Sequence, residues 1–152
     1  MKKFSFIILT LTILMWIGFV TTTQALTFDQ LPQVKQSDHW IVSIKEAKND
    51  PRLEKPNPRK FDTYELEIQN KSGQLGRVMA RVYRDEPDST VRYGLAILEA
   101  EKTAHLSELD GTAIHPAISV SKAAKKIEVD VLWTTGEEGD RPYKETFIFS
   151  QE

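Results

Sequence analysis

Tyr64-Glu65-Leu66-Glu67-Ile68-Gln69-Asn70-Lys71-Ser72-Gly73-Gln74-Leu75-Gly76-Arg77-Val78-Met79-Ala80-Arg81-Val82-Tyr83 is the stretch whose reading decides the fold. Apolar residues stand at 64, 66 and 68, then at 78, 80 and 82, with polar ones interleaved. A period of two marks a β-strand with one buried face, because successive side chains point to opposite sides of a pleated sheet. Asn70-Lys71-Ser72-Gly73, between the two runs, is turn chemistry. Pairing Asn70 with Gln74 predicts a hairpin: even-numbered positions stay on one face, and Gly73 takes the left-handed place in a three-residue loop. That register sets Glu67 opposite Arg77 and Glu65 opposite Met79. The rival arrangement is an arch that carries the chain from one sheet to another and parts Glu67 from Arg77.

The same period recurs on both sides. Trp40, Val42 and Ile44 form one run; Val91, Tyr93, Leu95 and Ile97 another; Ile127, Val129, Val131 and Trp133 a third; Tyr143, Phe147 and Phe149 a fourth. Ile114, Ile118 and Val120 make a weaker strand, interrupted by Pro116 and so expected at an edge. Helical turns are expected only over Glu99–Leu109 and Ser121–Lys126. Seven alternating strands predict antiparallel sheets with one wet side, packed face to face. The expected core holds Trp40, Leu66, Val78, Ala80, Val82, Leu95, Val129, Val131, Trp133 and Phe147. Ile68-x-Asn70-x-Ser72-Gly73 followed by Val78-x-Ala80-x-Val82-Tyr83 resembles the bacterial extracytoplasmic immunoglobulin-like or fibronectin-III-like sandwiches. The resemblance implies an all-β, seven-stranded antiparallel sandwich and no particular activity. The Cys–Trp–Cys hallmark of antibody domains is absent.

Ahead of this domain stand Met1-Lys2-Lys3, an uncharged apolar run from Phe4 to Val20, and Thr21-Thr22-Thr23-Gln24-Ala25. Positive start, apolar middle and small-residue exit are the parts of a secretory signal peptide, with cleavage expected before Leu26. The competing account is an uncleaved anchor through residues 4–20, a run close to the shortest that spans a bilayer. The expected layout is a signal segment over 1–25, a lead-in over 26–37 and the sandwich over 38–152. Without the two lysines of the segment, 18 basic face 22 acidic residues, a net charge of −4. Such a balance argues against nucleic acid as a partner. The chain has no cysteine, which excludes lipid attachment at a cleavage-site Cys, disulfides and thiolate metal sites.

Two surfaces stand out. The segment Ala47–Lys60 carries three prolines and the basic residues Lys48, Arg52, Lys55, Arg59 and Lys60. A long, proline-stiffened loop is suited to binding, because less entropy is lost on contact; the plainer account is a solvated connection. The second surface is the strand face of Arg77, Met79, Arg81 and Tyr83, opposite the apolar parity. Arg and Tyr are favoured at interfaces; the plainer account pairs these arginines with Glu65 and Glu67. Trp40, Trp133, Tyr143, Phe147 and Phe149 could form a sugar platform, but all five sit on the apolar parity and are expected in the core.

His39, His105 and His115 have no metal-ligand spacing, so no metal or other cofactor is expected. Asp85, Glu86 and Asp88 flank Pro87 in an acidic turn without an EF-hand pattern. Nucleophile elbow, phosphate-cradling loop and His-Glu-x-x-His are all missing, and His105, Ser107 and Asp110 are only close in sequence. The reading is a secreted or envelope-facing, non-enzymatic binding module whose partner is a protein or cell-envelope component. The alternatives are a small extracytoplasmic hydrolase and a membrane-anchored structural or accessory envelope domain.

Overall fold

The computed structural model describes residues 26–51, 53, 56–73, 75–100, 111–135 and 141–150; the expected signal segment lies outside them. Eight strands form, one more than expected: β1 (Gln33–Gln36), β2 (Trp40–Glu46), β3 (Phe61–Asn70), β4 (Val78–Asp85), β5 (Arg92–Ala100), β6 (Thr112–Ser121), β7 (Lys126–Trp133) and β8 (Tyr143–Ser150). The extra strand is β1, inside the segment read as a lead-in. There is no helix among the described residues. Ser121–Lys126, expected to hold a helical turn, turns tightly instead, with Ala124 N donating to Ser121 O at 3.0 Å. Of Glu99–Leu109, the first two residues belong to β5 and 101–109 lie outside the described residues.

Two antiparallel four-stranded sheets result, ordered β1-β2-β3-β6 and β5-β4-β7-β8. β6, the proline-interrupted strand, is an edge as expected. Between the sheets lie Trp40, Val42, Ile44, Leu66, Ile68, Val82, Ile118, Val120, Ile127, Val129, Val131 and Phe149, each at most 2% exposed. Their alternation along each strand is what the sequence period demands.

The stretch from Tyr64 to Tyr83 is an arch and not a hairpin. β3 pairs with β2 and β6, while β4 pairs with β5 and β7. Gly73 nonetheless takes the left-handed conformation read for it, with φ +82°, and Asn70 Oδ1 accepts from the Ser72 N–H at 2.8 Å. Leu75, 7% exposed, plugs the top of the core as the chain crosses. The carboxylates of β3 therefore meet lysines of their own sheet's side, Lys45–Glu67 at 2.6 Å and Lys48–Glu65 at 3.3 Å, and Arg77 meets Glu99 on β5.

Parity fails at two bulges. On β5, Val82 faces Ala96 but Tyr83 faces Gly94, so Leu95 is an extra residue. Beyond it Ala96 and Leu98 turn to the core, and Ile97 stands 69% exposed. Val91 and Tyr93, also read as buried, are 68% and 55% exposed, and Leu95 is only partly buried. On β6 the shift between Tyr64 and Leu66 acts alike: Ile118 and Val120 face the core, whereas Ile114 is 47% exposed. One inserted residue inverts the faces of everything past it.

Candidate functional site

Three surfaces combine unusual chemistry. The first is at the end of the sandwich where β2 leaves and β3 enters. The loop between them folds back against β3 and β6 and leaves a cleft of about 600 Å³, lined by apolar Leu53, Pro56, Pro58, Phe61 and Ala117, with Glu46, Lys48, Asp50 and Asp62 around it. This lies within the range of small-ligand clefts, roughly 300–1,000 Å³. Local chemistry fixes the loop's shape: Asn57 accepts from the Arg59 N–H through Oδ1 at 3.0 Å and from the Lys60 N–H through its carbonyl at 2.9 Å. Lys122 N in turn donates to Lys60 O at 2.9 Å, which ties the loop to the β6–β7 turn.

Charges beside the cleft are held by structural partners. Lys48 reaches Glu65, whose side chain is 4% exposed although it lies on the outer parity of β3. Asp62 accepts from Thr27 Oγ1 at 3.1 Å and pairs with Lys122 at 3.2 Å. The nearby Tyr64 hydroxyl is pushed up by burial and by the Asp62 charge, against a backbone hydrogen bond at Phe28 that lowers it. Of the basic residues picked from the sequence, Arg59 and Lys60 are exposed and do not line the cleft; Arg52 and Lys55 lie outside the described residues. The lining residues that went unnoticed are apolar. Leu53, outside every alternating run, and Phe61, on the parity opposite Tyr64, Leu66 and Ile68, were the available signal.

The second surface is the outer face of the β5-β4-β7-β8 sheet. Arg81 and Tyr83 line a shallow groove of about 320 Å³ at the β5 bulge. The Arg92 guanidinium covers the Tyr83 ring at 4.3 Å and pairs with Glu128. Asp130, 4% exposed, anchors this face. Burial alone would raise its carboxyl, but hydrogen bonds from Lys144 Nζ (2.8 Å) and Thr146 Oγ1 (2.7 Å), with the Lys144 and Arg92 charges, hold it below its ordinary value. Arg77 is on this face too, joined to Glu99, while Arg81 Nε lies 3.3 Å from Met79 Sδ.

The third surface is an aromatic cluster at the opposite end from the cleft. Trp133 meets His39 at 5.3 Å, Trp40 at 5.5 Å and Tyr143 at 5.7 Å, and His39 Nδ1 lies 2.8 Å from Glu145 Oε1 across the two sheets. Trp40, Trp133, Phe147 and Phe149 are buried as expected. Tyr143 is not: it stacks on Trp133 with 55% of its surface exposed. It opens β8 where the sandwich ends, so its inward parity points past the core. His115 sits inside β6, where burial pushes its imidazole down. No group of three His, Cys, Asp or Glu able to hold a metal ion occurs among the described residues, and His105, Ser107 and Asp110 lie outside them.

Comparison with known proteins adds compartment. A family model described as YozF-like secreted protein matches residues 24–152. A relative from Bacillus subtilis (strain 168), "Uncharacterized protein YozF", is 29% identical over 163 residues, covering 100% of this chain and 98% of its own length. No solved structure matches.

Proposed function

This chain belongs to the YozF-like secreted protein family, and on that premise we propose that it is a non-enzymatic binding module working outside the cell. The family's description as secreted supports a cleaved leader over a retained anchor. The architecture we assign is fibronectin-III-like. β2-β3-β6 against β5-β4-β7-β8 has the strand order of that sandwich, with β1 added at one edge, and the β3–β4 arch supports it.

One observation carries the binding assignment. The loop that the sequence marks out by length and proline content borders a cleft whose lining joins the apolar Leu53, Pro56, Pro58, Phe61 and Ala117 to the charged Glu46, Lys48, Asp50 and Asp62. Prolines at 56 and 58 hold apolar surface open to water without a large entropy cost on binding. The ligand class is an apolar group, a side chain or short acyl or aryl moiety, presented by a protein or envelope component. The test uses an anilinonaphthalene dye as probe. Fluorescence should rise with the unmodified chain, fall to background with Ala117→Trp, which fills the cleft, and persist with Ile97→Lys on the remote face. A response indifferent to Ala117→Trp overturns the assignment.

A further inference from the structure

β5 is an edge strand, paired with β4 alone among the described residues. An edge presents unpaired N–H and C=O groups to any other strand, and proteins ordinarily blunt it with charged side chains, Pro, a bulge or a covering segment. β5 has Arg92, Glu99 and the bulge at Leu95, and all three fit the pairing proposed below. β5 reads Arg-Tyr-Gly-Leu-Ala-Ile-Leu-Glu-Ala, without Lys or Pro. Tyr93 and Ile97 are 55% and 69% exposed, and Val91, just before the strand, 68%. We propose that β5 pairs antiparallel with β5 of a second copy of this chain, about a twofold axis between Leu95 and Ala96, so that the two β5-β4-β7-β8 sheets become continuous.

Register is the first support. Arg92, Gly94, Ile97 and Glu99 pair with Asp85, Tyr83, Arg81 and Met79, all odd-numbered positions of β4, and so share one class. Tyr93, Ala96 and Leu98 pair with even-numbered positions and share the other. The twofold axis sets Arg92 opposite Glu99 of the second copy, Gly94 opposite Ile97 of the second copy, and Tyr93 opposite Leu98 of the second copy. Every pair joins residues of one class, which antiparallel pairing requires. The bulge makes this possible: without Leu95 as an extra residue, 92 and 99 would point to opposite faces.

Shape and charge agree with the register. No atom lies within 4 Å of where a Cβ on Gly94 would sit, and the groove beside it runs between Arg81, Tyr83 and Leu95. Ile97 of the second copy lands there, so each copy's exposed Ile97 fills the other's glycine gap. Arg92 already holds Glu128, and Glu99 already holds Arg77. Bringing Arg92 to Glu99 of the second copy links both pairs into one alternating row of charge. The cleft under the Ala47–Lys60 loop takes no part.

Light scattering on the chain purified from culture medium should give twice the monomer mass. Ile97→Lys should restore the monomer with an unchanged far-UV circular dichroism spectrum, since Ile97 supports nothing in its own core. The chain has no cysteine, so introduced thiols report register. Gly94→Cys and Ile97→Cys chains, mixed and oxidised, should form a disulfide between the two variants. Neither should cross-link with itself, because like positions lie two ladder steps apart along the partner, about 7 Å, and one strand spacing of about 5 Å across, so their Cα atoms are about 8 Å apart, beyond the ~7 Å that a disulfide spans. A monomer up to millimolar concentration, a dimer that survives Ile97→Lys, or self-cross-linking equal to that of the mixture would each overturn the proposal.

Discussion

Trp133→Ala tests how the two sheets are held together. The indole is 4% exposed and lies between His39, Trp40 and Tyr143, with ring centroids 5.3–5.7 Å away. A buried aromatic side chain of this kind removes roughly 150–250 Å² from water. At about 25 cal/mol/Å² that is worth about 4–6 kcal/mol, an upper bound because the unfolded chain already hides part of it. Truncations of buried Phe and Trp to Ala cost about 3–5 kcal/mol, so we expect about 4 kcal/mol here. With a urea slope of roughly 1–2 kcal/mol per molar, the midpoint should fall by about 2–4 M. Far-UV circular dichroism is the readout, because removing the indole changes the fluorescence itself. Tyr143→Ala is the internal control: 55% exposed on the same stack, it should cost only about 0.5–1.5 kcal/mol, its ring-on-ring share. A loss below about 1 kcal/mol at Trp133, or equal losses at the two positions, would refute the picture of a buried indole beneath a surface tyrosine.

The outer-face carboxylate gives a pH-dependent test. Asp130 is held below its ordinary value of 3.8, so its stabilisation is complete above that pH and is lost as pH falls through the lower, folded-state value. Asp130→Asn should cost about 1–3 kcal/mol at neutral pH by weakening charge-assisted hydrogen bonds, and its urea midpoint should converge on the unmodified chain's as pH drops below 3.8; a constant gap down to pH 2 would contradict this. Gly73→Ala should lower stability by about 1–2 kcal/mol through backbone strain alone, because φ is +82° and a Cβ there meets nothing within 4 Å. An unchanged melting temperature would show that the arch can relax.

Strand positions were legible because the alternation at 40–44, 64–68, 78–82 and 127–133 is decided residue by residue, by which side of a pleat meets water. What failed was everything decided by distant chain. β1 is Gln33-Val34-Lys35-Gln36, mostly exposed, and only its pairing with β2 makes it a strand. The turn at Asn70–Gly73 has hairpin residues, yet β3 already has neighbours on both sides, so the chain must cross. Parity says which face a residue takes but not where the opposite sheet stops, hence Tyr143. It is also blind to bulges, hence Ile97 and Ile114. The cleft was half legible: proline content marked the loop, whereas its basic residues drew attention from Leu53 and Phe61, which form the lining.

The burial of Leu26 sets a sequence of events at the N-terminal end of the domain. It is 1% exposed and its N–H donates to Ala124 O at 2.7 Å, while Phe28 meets the Tyr64 ring edge-on at 5.4 Å. A peptidase that cuts before Leu26 must hold the chain extended on both sides of the bond, which a docked Leu26 does not permit. On the cleavage proposed before Leu26, processing and maturation have an order: the cut first, the seating of Leu26 second. An α-amino group freed by that cut would inherit the hydrogen bond to the Ala124 carbonyl as a charged donor. Under the proposed cleavage, a precursor that seats Leu26 early would hide its own cleavage point, so the docking of Leu26 and the removal of the leader compete for the same few residues.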